Sequence, residues 1–180
     1  MKISGDKLKA RAQAAGVSVE DLAAAVQRAG LKGSAAPSAV RNWMVGRDHP
    51  HCRAEDVARL AQALGCAPKD LVVFQSQVRW HRGSNKKAKL VVDVVRGKPV
   101  DVAMNLLTFS NKRAAVNVKK CLAAAIADAE QFDADVGALV VCESRVDGAT
   151  HIKRFQPKDR GRAHQILKRQ SHITIGVEER

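Results

Sequence analysis

Between Thr150 and Ile175, Lys153, Arg154, Lys158, Arg160, Arg162, Lys168 and Arg169 stand against a single acid, Asp159. Side chains of these types do one kind of chemistry well: they hold phosphate oxygens by charge and by hydrogen bonds. A second group, Lys112, Arg113, Lys119 and Lys120, crowds the first half of an expected helix, where the helix dipole alone would prefer acids. Phosphates near that helix start would account for the choice, because free backbone N–H groups favour them too. A solvated basic face is the plainer alternative. The excess runs through the whole chain of 180 residues, with 31 Lys and Arg against 18 Asp and Glu and a net charge of +13. Residues 1–75 carry 11 bases and 7 acids, and residues 76–180 carry 20 and 11, so a polyanionic partner belongs mainly to the second half.

Other chemistries are poorly served. There is no Gly-rich phosphate loop, no nucleophile elbow and no HExxH, so no enzyme is expected. Asp128, Glu130, Asp133 and Asp135 cluster at a helix end and its following loop, where they read as solvent-exposed. Cys52, Cys66, Cys121 and Cys142 form no CxxC pair and read as reduced thiols in the cytosol. The sharper alternative is a metal site using His49, His51, Cys52 and Cys66, but zinc sites show tighter paired spacing. No metal and no cofactor is expected. No apolar run approaches the ~20 residues that span a bilayer. The basic N-terminus could mimic a transit peptide, but Asp6 and the scarcity of Ser and Arg weaken that idea, and the segment also fits as a first helix.

Several elements must position these cations. A helix from Asp6 to Ala15 ends at Gly16. SVED, with Ser18 and Asp21, reads as a capping box that opens a helix running to Gly30. LKGSAAP is a loop, and Pro37 or Ser38 opens a short helix that Gly46 ends. AEDVARLAQAL is an amphipathic helix, with Val57, Leu60, Ala61 and Leu64 at helical spacing. Residues 75–87 read as a linker, or as a strand at Val78–Trp80 followed by a loop. A helix with an apolar face of Leu90, Val91, Val94 and Val95 follows. A second uses Val102, Ala103, Leu106 and Leu107, and a long third starts at Asn111 with Ala115, Val118, Leu122, Ala125 and Ile126 inward.

After Gly137 the period changes to that of strands. LVVCESRV reads as one strand, and HITIGVE alternates as another, with Ile173, Ile175 and Val177 on one face. Turn-forming Pro157, Asp159 and Gly161 lie between them. If Val141 pairs near Val177, each arm of the hairpin has about sixteen residues, which at 3.3 Å per residue is roughly 50 Å. That exceeds the ~27 Å diameter of a domain of this size, so the tip must project. A flexible basic loop is the alternative. The expected fold class is α+β: a small helical bundle over residues 1–75, then residues 76–180 with three helices, a small antiparallel sheet and a long projecting hairpin over about 139–177.

The helices LKARAQAAGVSVEDLAAAV, SAVRNWMVGRDHP and AEDVARLAQALGCAPKDLV resemble the Cro- and lambda-repressor-type helix-turn-helix family over about residues 6–73. That resemblance implies Val40 and Trp43 facing inward, Ser38, Arg41 and Asn42 facing DNA, and Arg47 near a phosphate. The loop QRAGLKGSAA is longer than that family's tight turn. A helical bundle that packs or docks without reading DNA is the alternative.

The runs VRGKPVDVAMNLLTFSNKRAAVNVKKCLAAAIADAEQ and HIKRFQPKDRGRAHQILKRQSHITIGVEER closely resemble bacterial large-subunit ribosomal protein twenty-two, over about residues 79–180. GRAHQILKRQSHITI is the most specific part. The resemblance implies a structural protein of the large subunit that binds 23S rRNA, bridges its domains and meets neighbouring ribosomal proteins. It also implies a basic hairpin lining the nascent-peptide exit tunnel near the macrolide-binding constriction, and a cytoplasmic location on the ribosome. The tip would comprise Ile152, Lys153, Arg154, Pro157, Asp159 and Gly161. The residues expected to touch rRNA are Arg82, Lys86, Lys87, Lys89, Arg96, Lys98, Asn111, Lys112, Arg113, Lys119 and Lys120, with the cations of the arm. The helical domain of residues 1–75 is extra to that family. A DNA-binding regulator acting through it is the competing function, alone or as a second role.

Overall fold

The computed structural model describes residues 2–179; Met1 and Arg180, the outer ends of the two expected domains, lie outside the described residues. The chain is α+β, with a four-stranded antiparallel sheet whose strands lie in the order β1 (Lys2–Ile3), β2 (Val72–Arg82), β4 (Ala163–Glu179), β3 (Leu139–Pro157). It forms two compact units. The first comprises residues 2–74 with Asp128–Ala134 and Glu179, and the second comprises Gln75–Ala127 and Asp135–Glu178.

In the first unit, strand β1 (Lys2–Ile3) pairs antiparallel with the start of β2 (Val72–Arg82), with Lys2 opposite Val73 and Ile3 opposite Val72. Helix α1 (Gly5–Ala15) buries Leu8 and Ala12, so the basic N-terminus is part of a folded core. Ser18 caps α2 (Val19–Ala25) as its sequence demands. Its hydroxyl accepts from the Asp21 N–H at 3.2 Å, and the Asp21 carboxylate accepts from the Ser18 N–H at 3.2 Å.

Helix α2 does not continue to Gly30. It stops at Val26, and Arg28 and Leu31 bridge back to back, the Leu31 N–H donating to the Arg28 carbonyl at 2.9 Å. The reason is tertiary. Val26 and Leu31 are both buried, and Arg28 turns inward to pair with the fully buried Asp56 at 3.2 Å. Helix α3 (Ala35–Met44) begins before the expected Pro37 or Ser38. Pro37 sits in its first turn, where the missing N–H would have had no partner anyway. Its buried face carries Ala36, Ala39, Val40 and Trp43, and the Trp43 indole donates to the Pro50 carbonyl at 2.7 Å. Helix α4 (Ala54–Leu64) buries Val57, Leu60 and Ala61, and Gly65 closes it in the left-handed conformation. At Gly5 no side chain fits: a Cβ there would lie 2.6 Å from the Met44 carbonyl oxygen and 2.8 Å from the Gly46 nitrogen.

In the second unit the strand alternative holds over the linker, and the strand is longer than Val78–Trp80. Residues 75–82 continue β2, and Ser84 precedes helix α5 (Asn85–Val95). Helix α5 packs on β3 (Leu139–Pro157) through Ala88, Val91, Val92 and Val95. Leu90 and Val94, expected inward, are 59% and 50% exposed. The anchor is polar: Arg96 donates from Nε to the Ser144 hydroxyl at 3.0 Å, and Ser144 donates to the Val92 carbonyl at 3.2 Å. These bonds fix the helix rotation about one residue away from the purely apolar choice. Helix α6 (Val100–Thr108) likewise buries Val100, Ala103 and Leu107 and leaves Val102 and Leu106 exposed.

Helix α7 starts at Arg113 rather than Asn111 and runs to Glu130, burying Ala115, Val118, Leu122 and Ala125 as expected; Ile126 is only half-buried. Strand β4 (Ala163–Glu179) lies beside β3 in the sheet. Its end does not alternate in burial: Ile173, Ile175 and Val177 are buried, and so are Thr174 and Glu178.

Candidate nucleic-acid interface

The turn after β2 is held tightly. His81 is buried, and its Nδ1 lies 2.6 Å from the Asn117 amide of α7. Burial first, then the charge of Arg113, lowers the His81 pKa, which favours the neutral ring. A Cβ at Gly83 would lie 2.6 Å from the His81 Nε2, so this turn admits only glycine against the fixed ring.

Around that turn lies a groove of about 630 Å³, lined by His81, Arg82, Gly83, Ser84, Lys87, Leu90, Lys112 and Arg113. A second hollow of about 490 Å³ shares Arg82, Gly83, Ser84 and Arg113 and adds Leu167, Lys168 and Arg169. Four segments thus bring together Arg82, Lys87, Lys112, Arg113, Lys168 and Arg169, and no acid lines either hollow. None of the six makes an ion pair among the described residues. Two helix starts open here, α5 after Ser84 and α7 at Arg113, and neither has an acid in its first turn. Partial positive charge from both helix ends therefore adds to the side-chain cations. Such an arrangement repels itself, and an anion held there would neutralise it.

The remaining expected contacts are distributed differently. Lys86, Lys89, Asn111 and Lys120 are exposed, while Lys98 and Lys119 are half-buried. Lys119 donates to the Thr108 hydroxyl at 3.0 Å. Arg96 is engaged within the unit, by Ser144 and by Asp93 at 3.0 Å, so its first role is to hold α5 to β3.

Strands β3 and β4 are joined by residues 158–162, where the Lys158 N–H donates to the Arg162 carbonyl at 2.7 Å. Asp159, Arg160 and Gly161 lie in this turn; Ile152, Lys153, Arg154 and Pro157, grouped with the tip in sequence, lie in β3. From Lys153 to Gln165, and again from Leu167 to Arg169, every residue is exposed. Lys153, Arg154, Lys168 and Arg169 therefore stand on strands, and Lys158, Arg160 and Arg162 in the turn between them, all exposed, with Phe155 among them at 74% exposure. A two-stranded ribbon without a covered face is marginal in water.

The candidate DNA-facing residues lie in the first unit. Val40 and Trp43 point inward as expected, and Ser38, Arg41 and Arg47 are exposed. Asn42 is half-buried and donates to the His49 carbonyl at 2.9 Å. Residues 26–34 separate α2 from α3.

The cysteines are not poised for chemistry. Burial, then Asp56 and Asp48, push the Cys52 thiol up to about 12, and burial, then Glu178, pushes Cys142 up to about 11. Burial raises Cys66 and Cys121 as well. Protonated thiols are poor nucleophiles and poor metal ligands. His49, His51, Cys52 and Cys66 assemble no metal-holding group among the described residues. Of the acids, Asp135 caps a turn by accepting the Gly137 N–H at 2.9 Å, and the Asp133 carbonyl accepts from Lys69 at 3.2 Å. No helix among the described residues is long and apolar enough to cross a membrane.

A basic α+β unit with two helix starts opening on clustered cations has the charge pattern of proteins that assemble on a polyanion. Its family is specific: the model of ribosomal protein L22p/L17e matches residues 76–178. The chain belongs to this family of ribosomal proteins, which are structural constituents of the large subunit rather than enzymes.

Sequence reasoning named all six groove cations but not their convergence. It missed β2 as a continuous strand, and with it the fixed His81–Gly83 turn. The signal was present in VVFQSQVRWHR, whose Val and aromatic residues suit a strand throughout.

Proposed function

We propose that this chain binds 23S rRNA in the large ribosomal subunit, bridges rRNA segments with its basic surface, and reaches toward the nascent-peptide exit tunnel with the β3–β4 ribbon. The observation that carries this reading is the groove of six cations at two helix starts, continuous in sequence through Lys168 and Arg169 with the exposed cationic ribbon. Lys and Arg would hold phosphates and recognise RNA shape rather than base sequence. Neighbouring ribosomal proteins and the passing nascent peptide are the further partners of this reading, and the site of action is the cytoplasmic ribosome. Residues 1–75 then form a separate functional domain docked at the ribosome surface.

The test is sedimentation of tagged full-length protein through a high-salt gradient. Nearly all of it should travel with the large subunit. A large free pool at ordinary salt would refute the assignment.

A second reading gives residues 1–75 a helix-turn-helix role on DNA. It is supported by exposed Ser38, Arg41 and Arg47 on and just after α3. The nine-residue connection and the engagement of Asn42 with His49 weigh against it. If it holds, the full chain selects particular sequences from a duplex DNA pool, and Arg41→Ala weakens the selected complex about ten-fold, the usual cost of one base contact. Weak, salt-sensitive binding without sequence preference, unaffected by that change, would rule it out.

A further inference from the structure

Trp80 breaks the pattern of its strand. Residues on β2 should alternate between faces, yet Arg79 and Trp80 are both exposed before the buried His81. The cause is local: Trp80 has φ +59°, a left-handed conformation that a bulky side chain rarely adopts. Its N–H donates to the His172 Nδ1 at 3.2 Å, and its indole meets the His172 ring edge to face at 4.9 Å. The ring is 52% exposed, next in sequence to His81 and Arg82 of the cationic groove.

We infer that Trp80 is a stacking platform for an unpaired nucleobase, with Arg82, Lys112 and Arg113 holding the phosphates beside it. The inference rests on the RNA-binding reading above and deepens it, because phosphate contacts alone cannot tell a paired strand from an unpaired one. A flat, half-exposed indole can: it gains from stacking only where a base is free to leave its helix. His172 fixes the ring from one side, so little side-chain freedom is lost on binding.

The experiment uses full-length protein with two probes, single-stranded oligo(A) RNA and a fully paired RNA duplex. The chain has 2 Trp, and the other, Trp43, is buried in the first unit, so it supplies a constant background. Oligo(A) should quench the emission of Trp80. Trp80→Leu should bind oligo(A) about ten-fold more weakly, the usual effect of removing one stacked base. Its salt dependence should be unchanged, and its duplex affinity should equal the wild type. Trp80→Phe should keep most of the binding. Trp80→Asn places a residue that tolerates left-handed φ at this position, so it should melt no lower than wild type while losing oligo(A) as Leu does.

Equal oligo(A) affinity for Trp80→Leu and wild type would overturn the stacking assignment, as would equal losses on both probes. A marked fall in the melting temperature of Trp80→Asn would make the indole a structural residue. If neither probe binds the wild type even at low salt, the RNA-binding reading falls with it.

Discussion

Changing Lys112 and Arg113 together to Glu should weaken binding of large-subunit RNA about a hundred-fold near physiological salt, and should flatten the log–log salt dependence by roughly 1.4 to 1.8. Both residues line the groove where the starts of α5 and α7 meet, and neither has an acidic neighbour to compensate. Every phosphate that the variant leaves unneutralised keeps its condensed counterion, and this sets the change in slope. The reversal adds repulsion from two carboxylates. The control is Lys9→Glu with Arg47→Glu, which makes the same change in net charge on exposed residues of the first unit. A groove effect leaves that control within a few-fold of wild type, whereas a net-charge effect weakens both variants equally. Stability should move the other way. Acids in the first turn of α7 complement its dipole by about 0.3–1 kcal/mol each, so the groove variant should melt at or above wild type. Weaker binding from a more stable protein would mark these cations as kept for a ligand.

That opposition between local preference and ligand also sets what could be read from the sequence. Where one residue decides the outcome locally, the reading was sound. Ser18 and Asp21 make a capping box wherever they occur at this spacing, and Gly65 ends α4 as its position implies. Val40 and Trp43 fall inward because nothing else on α3 could fill that core. Readings failed where a distant polar partner decided. Arg28 ends α2 early because Asp56 waits for it across the fold, and Arg96 rotates α5 because Ser144 holds it. Periodicity registers apolar residues and cannot see either pair. The groove was half legible for the same reason. Its cations are conspicuous in sequence, but Lys168 and Arg169 reach Arg82 only through the pairing order of the sheet. Trp80 was legible least of all, since its exposure depends on one backbone angle that no composition or spacing reveals.

The Arg28–Asp56 pair carries the largest expected effect on stability. Asp56 is fully buried, and Arg28 is nearly so, at 13% side-chain exposure. Asp56 accepts the Arg53 N–H at 3.0 Å at the start of α4, and Arg28 donates from Nη2 to the His51 carbonyl at 3.1 Å, so the pair ties three segments together. The geometry is not ideal: Asp56 Oδ1 is buried without a hydrogen-bond partner, and Arg28 Nε faces Oδ2 without an aligned hydrogen bond. An imperfect buried pair adds little net stability against apolar replacements, but breaking it strands a charge. Asp56→Ala should therefore destabilise the first unit by about 3–5 kcal/mol, the usual cost of leaving one member of a buried pair. Arg28→Met with Asp56→Leu should recover most of that stability. The measurement is urea unfolding of the full chain followed by emission of the buried Trp43, in a Trp80→Phe background so that only the first unit reports. If Asp56→Ala shifts that transition by less than about 1 kcal/mol, the pair is solvated and the early end of α2 needs another cause. If the apolar pair fails to recover while each single change is severe, Arg28 and Asp56 specify the connection between α2 and α3 by their hydrogen bonds to His51 and Arg53. Unfolding confined to the first unit should leave RNA affinity of the groove unchanged, because all six of its cations belong to the second.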